Sequence, residues 1–257
     1  PTVHRVRWVH VGKGQHHLVV LPLHGRGNKG GVGAPVKVMA YVPPADLKSP
    51  WVNHVIAEQF HMMHNMEVVP EPGGHRDAIL IGGREGIASV EPRSGKWRKP
   101  DLPPWDIFKQ PVGEMRASVN KGKSERMVIA TIEPMHGNKV MAYVMIRSKD
   151  KEPRPIALDE SLKHGHALAV ADLLGQGAPQ VVAGWRFPNN DKKVGIKMYV
   201  SQDPDANKWK TFVIDDNHMA CEDLKVADLN GDGKPEIIAC GRASKNLVIY
   251  WNQTPSP

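Results

Sequence analysis

One sheet-forming unit recurs along this chain, and recurrence at that spacing leaves few folds open. The clearest copy lies near the C-terminus. Glu222-Asp-Leu-Lys-Val-Ala-Asp228 alternates like a half-buried strand and runs into the turn Leu229-Asn-Gly-Asp-Gly-Lys-Pro235. Ile237-Ile-Ala-Cys-Gly-Arg242 returns as a second, apolar strand, and Leu247–Trp251 reads as a third. Copies start near residues 4, 64, 114, 166 and 222, at intervals of 60, 50, 52 and 56. In the copy from His166, the strands are His166–Asp172, Gln180–Gly184 and Ile196–Val200. The copy from Glu114 gives Val119, Met127–Thr131 and Lys139–Tyr143; the copy from His64 gives Glu67–Val69, Ala78–Ile81 and Gly86–Val90. The copy from His4 gives Val6–Val11, Leu18–Leu21 and Val36–Ala40. A fourth strand follows at Trp51–Ile56, after Trp97, and at Trp209–Ile214.

Four antiparallel strands per repeat, without helices, make a β-propeller blade. The expected fold is therefore all-β, with five blades in a single domain spanning 1–257. Each sheet would bury its faces against its neighbours. The last copy stops after its third strand and the first begins on its innermost one. The expectation is either a three-stranded last blade or an upstream fragment that completes it.

Composition excludes several function classes. No apolar run approaches the roughly 18 residues of a membrane span, and the N-terminus carries no signal-peptide pattern. The formal charge is +7, but Lys and Arg are scattered, without a dense tract or a nucleic-acid motif, so nucleic acid is not an expected partner. Cys221 and Cys240 make no disulfide framework, although one bridge within a hairpin stays open.

The repeat also has a chemical phase. Aligned on the turn positions His10, Pro70, Asn120, Asp172 and Asp228, the residues six places earlier are His4, His64, Glu114, His166 and Glu222. All five are ionisable, although the chain has only 13 His in 257 residues. In a propeller this position starts the strand that lines the channel, so the five would share one rim. About twenty residues further on lie His24, Arg84, Arg186 and Arg242, with His136 two places later than the others. His61 and His164 precede strand one in two copies. The Gly after His24 and after His136 would let backbone approach a ligand closely. Convergent His and Glu suit a divalent metal such as Zn²⁺ and proton transfer near neutral pH. Arg adds a stabiliser for an oxyanion.

The turn Asp228-Leu-Asn230-Gly-Asp232-Gly-Lys-Pro-Glu236 sets oxygen ligands at positions 1, 3, 5 and 9, a spacing that suits a structural Ca²⁺. The alternative is a turn knitted by its own Asx hydrogen bonds. The matching turn after Asp172 has lost its carboxylates.

Val170-Ala-Asp-Leu173 and Val226-Ala-Asp-Leu-Asn-Gly-Asp-Gly-Lys-Pro-Glu236 resemble FG-GAP/VCBS repeats, which build propellers. Further motifs are Thr2-Val-His-Arg-Val6, His61-Met-Met-His64, Gly82-Gly-Arg-Glu-Gly86, Met135-His-Gly-Asn138, and His166 ahead of Val170-Ala-Asp172. Together they resemble the propeller part of the aldos-2-ulose dehydratase and 1,5-anhydrofructose dehydratase family, including planctomycete-type FG-GAP proteins. That resemblance implies a seven-bladed ring, a periplasmic or secreted location, and elimination of water or a glycosyl group from a keto-sugar. It implies no isomerase step, because the family's cupin domains are absent from this chain. On this reading His64, His136 and His166 hold the divalent ion and His4 is the base. Glu114 or Glu222 assists proton transfer. His24, Arg26, Arg84, Asn138, Arg186 and Arg242 face the sugar.

Two other readings compete with a carbon–oxygen lyase. One is a non-catalytic propeller that binds carbohydrate or protein, which would favour exposed rim aromatics; Trp185 is the one that qualifies. The other is a hydrolase with metal in the channel.

Overall fold

The structure, a computed structural model, describes residues 2–71, 73–93, 96–98, 106–119, 126–146 and 152–255. The turn position Asn120 and residues 99–105, where a fourth strand was expected after Trp97, lie outside the described residues. Two compact units make up the chain, Pro1–Gly113 and Glu114–Pro257. Both are built from antiparallel sheets. Among the described residues no helix is long and apolar enough to cross a membrane.

In the first unit, β1 (Val3–Gly12), β2 (Gln15–Pro22), β3 (Val38–Val42) and β4 (Val52–Ala57) pair in sequence order as one sheet. A second sheet holds β5 (Met63–Pro70), β6 (Asp77–Gly83) and β7 (Gly86–Val90), and β8 (Pro92–Arg93) pairs with β9 (Lys96–Trp97). Alternation decides what is buried, since every second side chain of a strand points to the same face. Val9, Val19, Leu21, Val38 and Ala40 of the first sheet meet Met63, Ile79, Ile81 and Ala88 of the second in one core.

The second unit begins with a sheet of β10 (Met115–Val119), β11 (Arg126–Glu133), β12 (Lys139–Ile146) and β13 (Arg154–Asp159). The next sheet is β14 (Gly165–Ala171), β15 (Gln180–Trp185), β16 (Gly195–Ser201) and β17 (Trp209–Asp216). The last is β18 (Cys221–Ala227), β19 (Glu236–Gly241) and β20 (Asn246–Tyr250), three strands as the sequence suggested.

The middle sheet of this unit is covered on both faces. Val181 and Ala183 pack with Ala130, Ile132 and Ala142. Val182 points the other way and packs with Leu224, Ile237 and Ala239. Every residue of β15 is buried, which explains why that strand reads as a continuous apolar run rather than an alternating one. A repeated polar tie reinforces the stacking. Tyr199 of β16 donates to Asp159 Oδ2 at the end of β13 (3.0 Å), and Tyr250 of β20 donates to Asp215 Oδ2 near the end of β17 (2.8 Å). Cys221 and Cys240 are both free thiols, so the bridge left open by the sequence is not formed.

Candidate active site

The ionisable residue that starts each copy sits at a break in the strand ladder. In β1 the register jumps between Val3 and Arg5, leaving His4 as the extra residue. The same jump occurs between Met63 and Asn65 around His64, between Gly165 and Ala167 around His166, and between Cys221 and Asp223 around Glu222. A bulged residue leaves the ladder and its side chain is re-aimed, a device concentrated at functional sites. Glu114 lies immediately before β10, where its carbonyl accepts Ile132 N–H at 2.9 Å. The second tier lies beside these bulges, because strand two ends where strand one begins. Arg84 N–H donates to Met62 O and Arg186 N–H to His164 O, and His24 bridges to Met62.

In the first unit the His4 and His64 rings lie 4.5 Å apart. His64 is buried, and its Nδ1 lies 2.9 Å from Gly113 O. A carbonyl only accepts, so the ring proton is on Nδ1 and the in-plane lone pair is on Nε2. His61 bonds Glu85 through both its backbone N–H (2.8 Å) and its Nδ1 (3.2 Å). Arg84 is exposed and donates to Gly30 O at 2.9 Å. Arg26 is also exposed, and His24 Nδ1 is buried without a hydrogen-bond partner among the described residues.

In the second unit three imidazoles form a stack. His136 lies 4.6 Å from His166 and 5.0 Å from His164, centroid to centroid. His166 repeats the His64 arrangement, with Nδ1 2.6 Å from Glu222 O and the lone pair again on Nε2. Metal-ligating histidines carry this same Nδ1–H to carbonyl bond, which fixes the ring and its tautomer. Arg186 clamps the cluster, donating to both Glu222 oxygens (3.0 and 3.2 Å) and to His164 Nδ1 (2.7 Å). Arg242, largely exposed, stands 3.8 Å from Glu222. Burial, then Arg186, lowers the His164 pKa from its ordinary value. Burial also lowers that of His166, against the opposing bond to the Glu222 carbonyl. Both rings are thereby biased to the neutral form that donates a lone pair. Glu114 is buried 3.6 Å from the Arg116 guanidinium. Asn138 donates to Glu160 O at 2.9 Å.

One sequence expectation needs correction. Trp185 is not a rim aromatic: it is 3% exposed, and its Nε1 donates to Lys193 O at 2.8 Å. Position 185 belongs to β15, the strand covered on both faces, so an aromatic there fills the core. The glycines after His24 and His136 are already required by the chain's own backbone, whatever a ligand adds. A Cβ on Gly25 would lie 1.9 Å from Ala34 O, and one on Gly137 would lie 2.1 Å from Glu133 O.

The sequence also gave no role to some residues the structure brings forward. Arg116 faces Glu114, while His164, which the sequence set ahead of strand one, joins the imidazole stack. Glu133, eight per cent exposed, accepts from Thr131 Oγ1 (2.6 Å) and Tyr143 OH (2.7 Å), all on the same Oε1. The spacing from Thr131 to Glu133 along one strand face was the available signal, but Tyr143 belongs to another strand.

The Asp228 turn is knitted by its own backbone. Asp228 accepts Gly231 N–H (2.8 Å) and Gly233 N–H (2.9 Å). Asp232 N–H donates to Asn230 Oδ1. Glu236 is fully buried and its Oε2 accepts Leu229 N–H at 2.8 Å, while its Oε1 has no hydrogen-bond partner among the described residues. A cation fits that orphaned carboxylate oxygen.

A family model of the aldos-2-ulose dehydratase β-propeller domain matches residues 1–146. The chain belongs to this family. A search of curated proteins finds no match. The matched stretch of the aldos-2-ulose dehydratase propeller takes in His4, His64, Glu114 and His136 and ends with β12. His166, Arg186 and Glu222 lie beyond it, and the bulges at His166 and Glu222 repeat those at His4 and His64.

Proposed function

We propose that this protein is a carbon–oxygen lyase that eliminates water or a glycosyl group from a keto-sugar, on a propeller of five blades. The observation that carries the reading is the set of β-bulges at His4, His64, His166 and Glu222. Two of the bulged imidazoles also hand Nδ1–H to a carbonyl and so keep Nε2 as a lone-pair donor. His64 and His166 at strand-one starts, with His136 of the second tier, would hold a divalent cation of the Zn²⁺ type. Such an ion supplies Lewis-acid polarisation of a carbonyl.

The chain's own groups do the remaining work. His4 removes the proton beside the carbonyl, a task matched to an imidazole near neutral pH. The carboxylates of Glu114 and Glu222 assist proton transfer to and from it. Arg186 holds Glu222 and His164 in place through its fork of hydrogen bonds. The exposed Arg26, Arg84 and Arg242, with His24 and Asn138, would take sugar hydroxyls. A structural Ca²⁺ is proposed for Asp228, Asn230, Asp232 and Glu236, with the unpartnered Glu236 Oε1 as its support.

Elimination converts the keto-sugar into a conjugated enone, which absorbs in the ultraviolet, whereas hydrolysis gives no such chromophore. Incubation with a panel of keto-sugars should raise that absorbance, and His4→Gln should slow the rise by about a hundredfold, the scale of a lost general base. Binding of the sugars without any enone would instead favour a non-catalytic carbohydrate-binding propeller.

A further inference from the structure

We propose that Phe187 is the platform on which the ring of the keto-sugar stacks, a specificity role that rests on the elimination reading above. Phe187 follows directly on β15 and Arg186. Backbone bonds fix it: Arg186 N–H donates to His164 O and Phe187 N–H to Lys163 O, both at 3.2 Å. Its side chain nonetheless stays 45% exposed. An aromatic ring held rigidly in solvent contact is ready to bind without ordering cost.

Its surroundings are those of the candidate site. The Phe187 and His164 rings lie 4.6 Å apart, tilted by 58°. His164 stacks on His136, and His136 on His166, so unbroken ring contacts run from Phe187 to the imidazoles assigned to the cation. The Arg186 guanidinium carbon lies 5.8 Å from the Phe187 centroid. Arg84 and Arg242, at the matching places of two other copies, are followed by Glu85 and Ala243. Of these three copies, the one with the imidazole stack carries the aromatic. Phe212 is also partly exposed, but it lies on β17, beside Lys210.

The chemistry selects a sugar ring. One face of a pyranose presents several C–H bonds, apolar and slightly positive, and an aromatic face carries the complementary negative quadrupole. The hydroxyls at the ring edge meet polar groups at the same time. A linear keto-acid or a phosphorylated chain offers no such face.

The test uses the full chain with Phe187→Ala and Phe187→Tyr. With a keto-sugar that the wild type converts, Phe187→Ala should raise KM about tenfold, equivalent to about 1.4 kcal/mol, and leave kcat within about a factor of two. Phe187→Tyr should restore KM. An unchanged KM in Phe187→Ala, with wild-type turnover intact, overturns the platform and leaves the elimination reading standing. Saturation-transfer NMR gives a readout that needs no turnover. Ring C–H protons of the keto-sugar should receive saturation from wild type and lose it with Phe187→Ala. If the wild type converts no keto-sugar, the elimination reading fails and this NMR difference alone decides the platform: transfer that depends on Phe187 supports it, and no transfer or no dependence overturns it.

Discussion

Replacing Glu236 by Gln should stabilise the calcium-free protein and blunt its response to calcium. Glu236 is fully buried, and among the described residues only its Oε2 has a partner, Leu229 N–H. Gln180 occupies the same place in its own sheet: Ala171 pairs with Gln180 as Ala227 pairs with Glu236. Its Oε1 accepts Leu173 N–H (2.7 Å) and Leu174 N–H (3.1 Å), and its Nε2 donates to Ala178 O (2.7 Å). An amide at 236 stands in the corresponding position, with the Lys234 carbonyl two residues upstream as Ala178 is from Gln180. A buried acceptor left unpaired costs about 1–3 kcal/mol, and Gln should recover about that much. The gain corresponds to about 2–4 °C in Tm for each kcal/mol in a domain of this size. Calcium works against that gain. At a hundredfold excess over Kd it stabilises the wild type by about 2.7 kcal/mol, and it stabilises the variant by less, because Gln offers a neutral oxygen where Ca²⁺ prefers a carboxylate. Thermal unfolding followed by circular dichroism, first with a chelator and then with excess calcium, reads both effects. A Gln variant less stable than wild type under chelation refutes the orphaned-oxygen argument. Equal calcium shifts in the two proteins refute the site.

Two further substitutions probe buried carboxylates, with opposite dependence on pH. Asp159 Oδ2 accepts Lys197 Nζ (2.8 Å) and Tyr199 OH, and Ser161 N–H binds its other oxygen. Burial pushes Asp159 up, but the bonds from Lys197 and Ser161 outweigh it and hold the carboxyl below its ordinary value of 3.8. Its contribution is therefore present above that pH and lost as pH falls through the folded value. Asp159→Asn should cost about 2–3 kcal/mol in urea unfolding at neutral pH, and the gap should close in acid; a gap that persists there would contradict the ion pair. Glu133 behaves in the opposite sense: burial raises it, against the bonds from Thr131 and Tyr143. A raised carboxyl stabilises the folded state below the unfolded value of 4.5 and loses that contribution as pH rises through the folded value. Glu133→Gln, which keeps an oxygen for both hydroxyls, should gain on the wild type between pH 4 and 8 by on the order of 1 kcal/mol, and a difference that shrinks with rising pH would contradict this.

Much of this architecture was legible because the repeat exposes itself twice, in hydrophobic alternation and in turn residues. Aligning the turns was enough to select His4, His64, His166 and Glu222. What the alignment could not show is that each sits in a bulge, because a bulge is a mismatch between two strands and either strand alone looks regular. Trp185 was misplaced for a related reason. In β15 both faces are covered, so alternation no longer separates inside from outside, while the exposed aromatic comes two residues later at Phe187. The role of Arg186 also depended on partners remote in sequence. Read alone it is a free guanidinium for substrate, but in place its fork is taken up by Glu222 and His164. The Glu133 cluster takes Tyr143 from a second strand, which the local spacing of Thr131 and Glu133 could not show.

Enone absorbance, followed with a keto-sugar before and after metal removal, bears most directly on the proposed chemistry. Chelated and desalted protein should be inactive, and a stoichiometric amount of Zn²⁺ or a similar ion should restore the absorbance in wild type but not in His166→Ala. Undiminished enone formation by metal-free protein, or full restoration of the variant, would contradict a cation held by the bulged histidines.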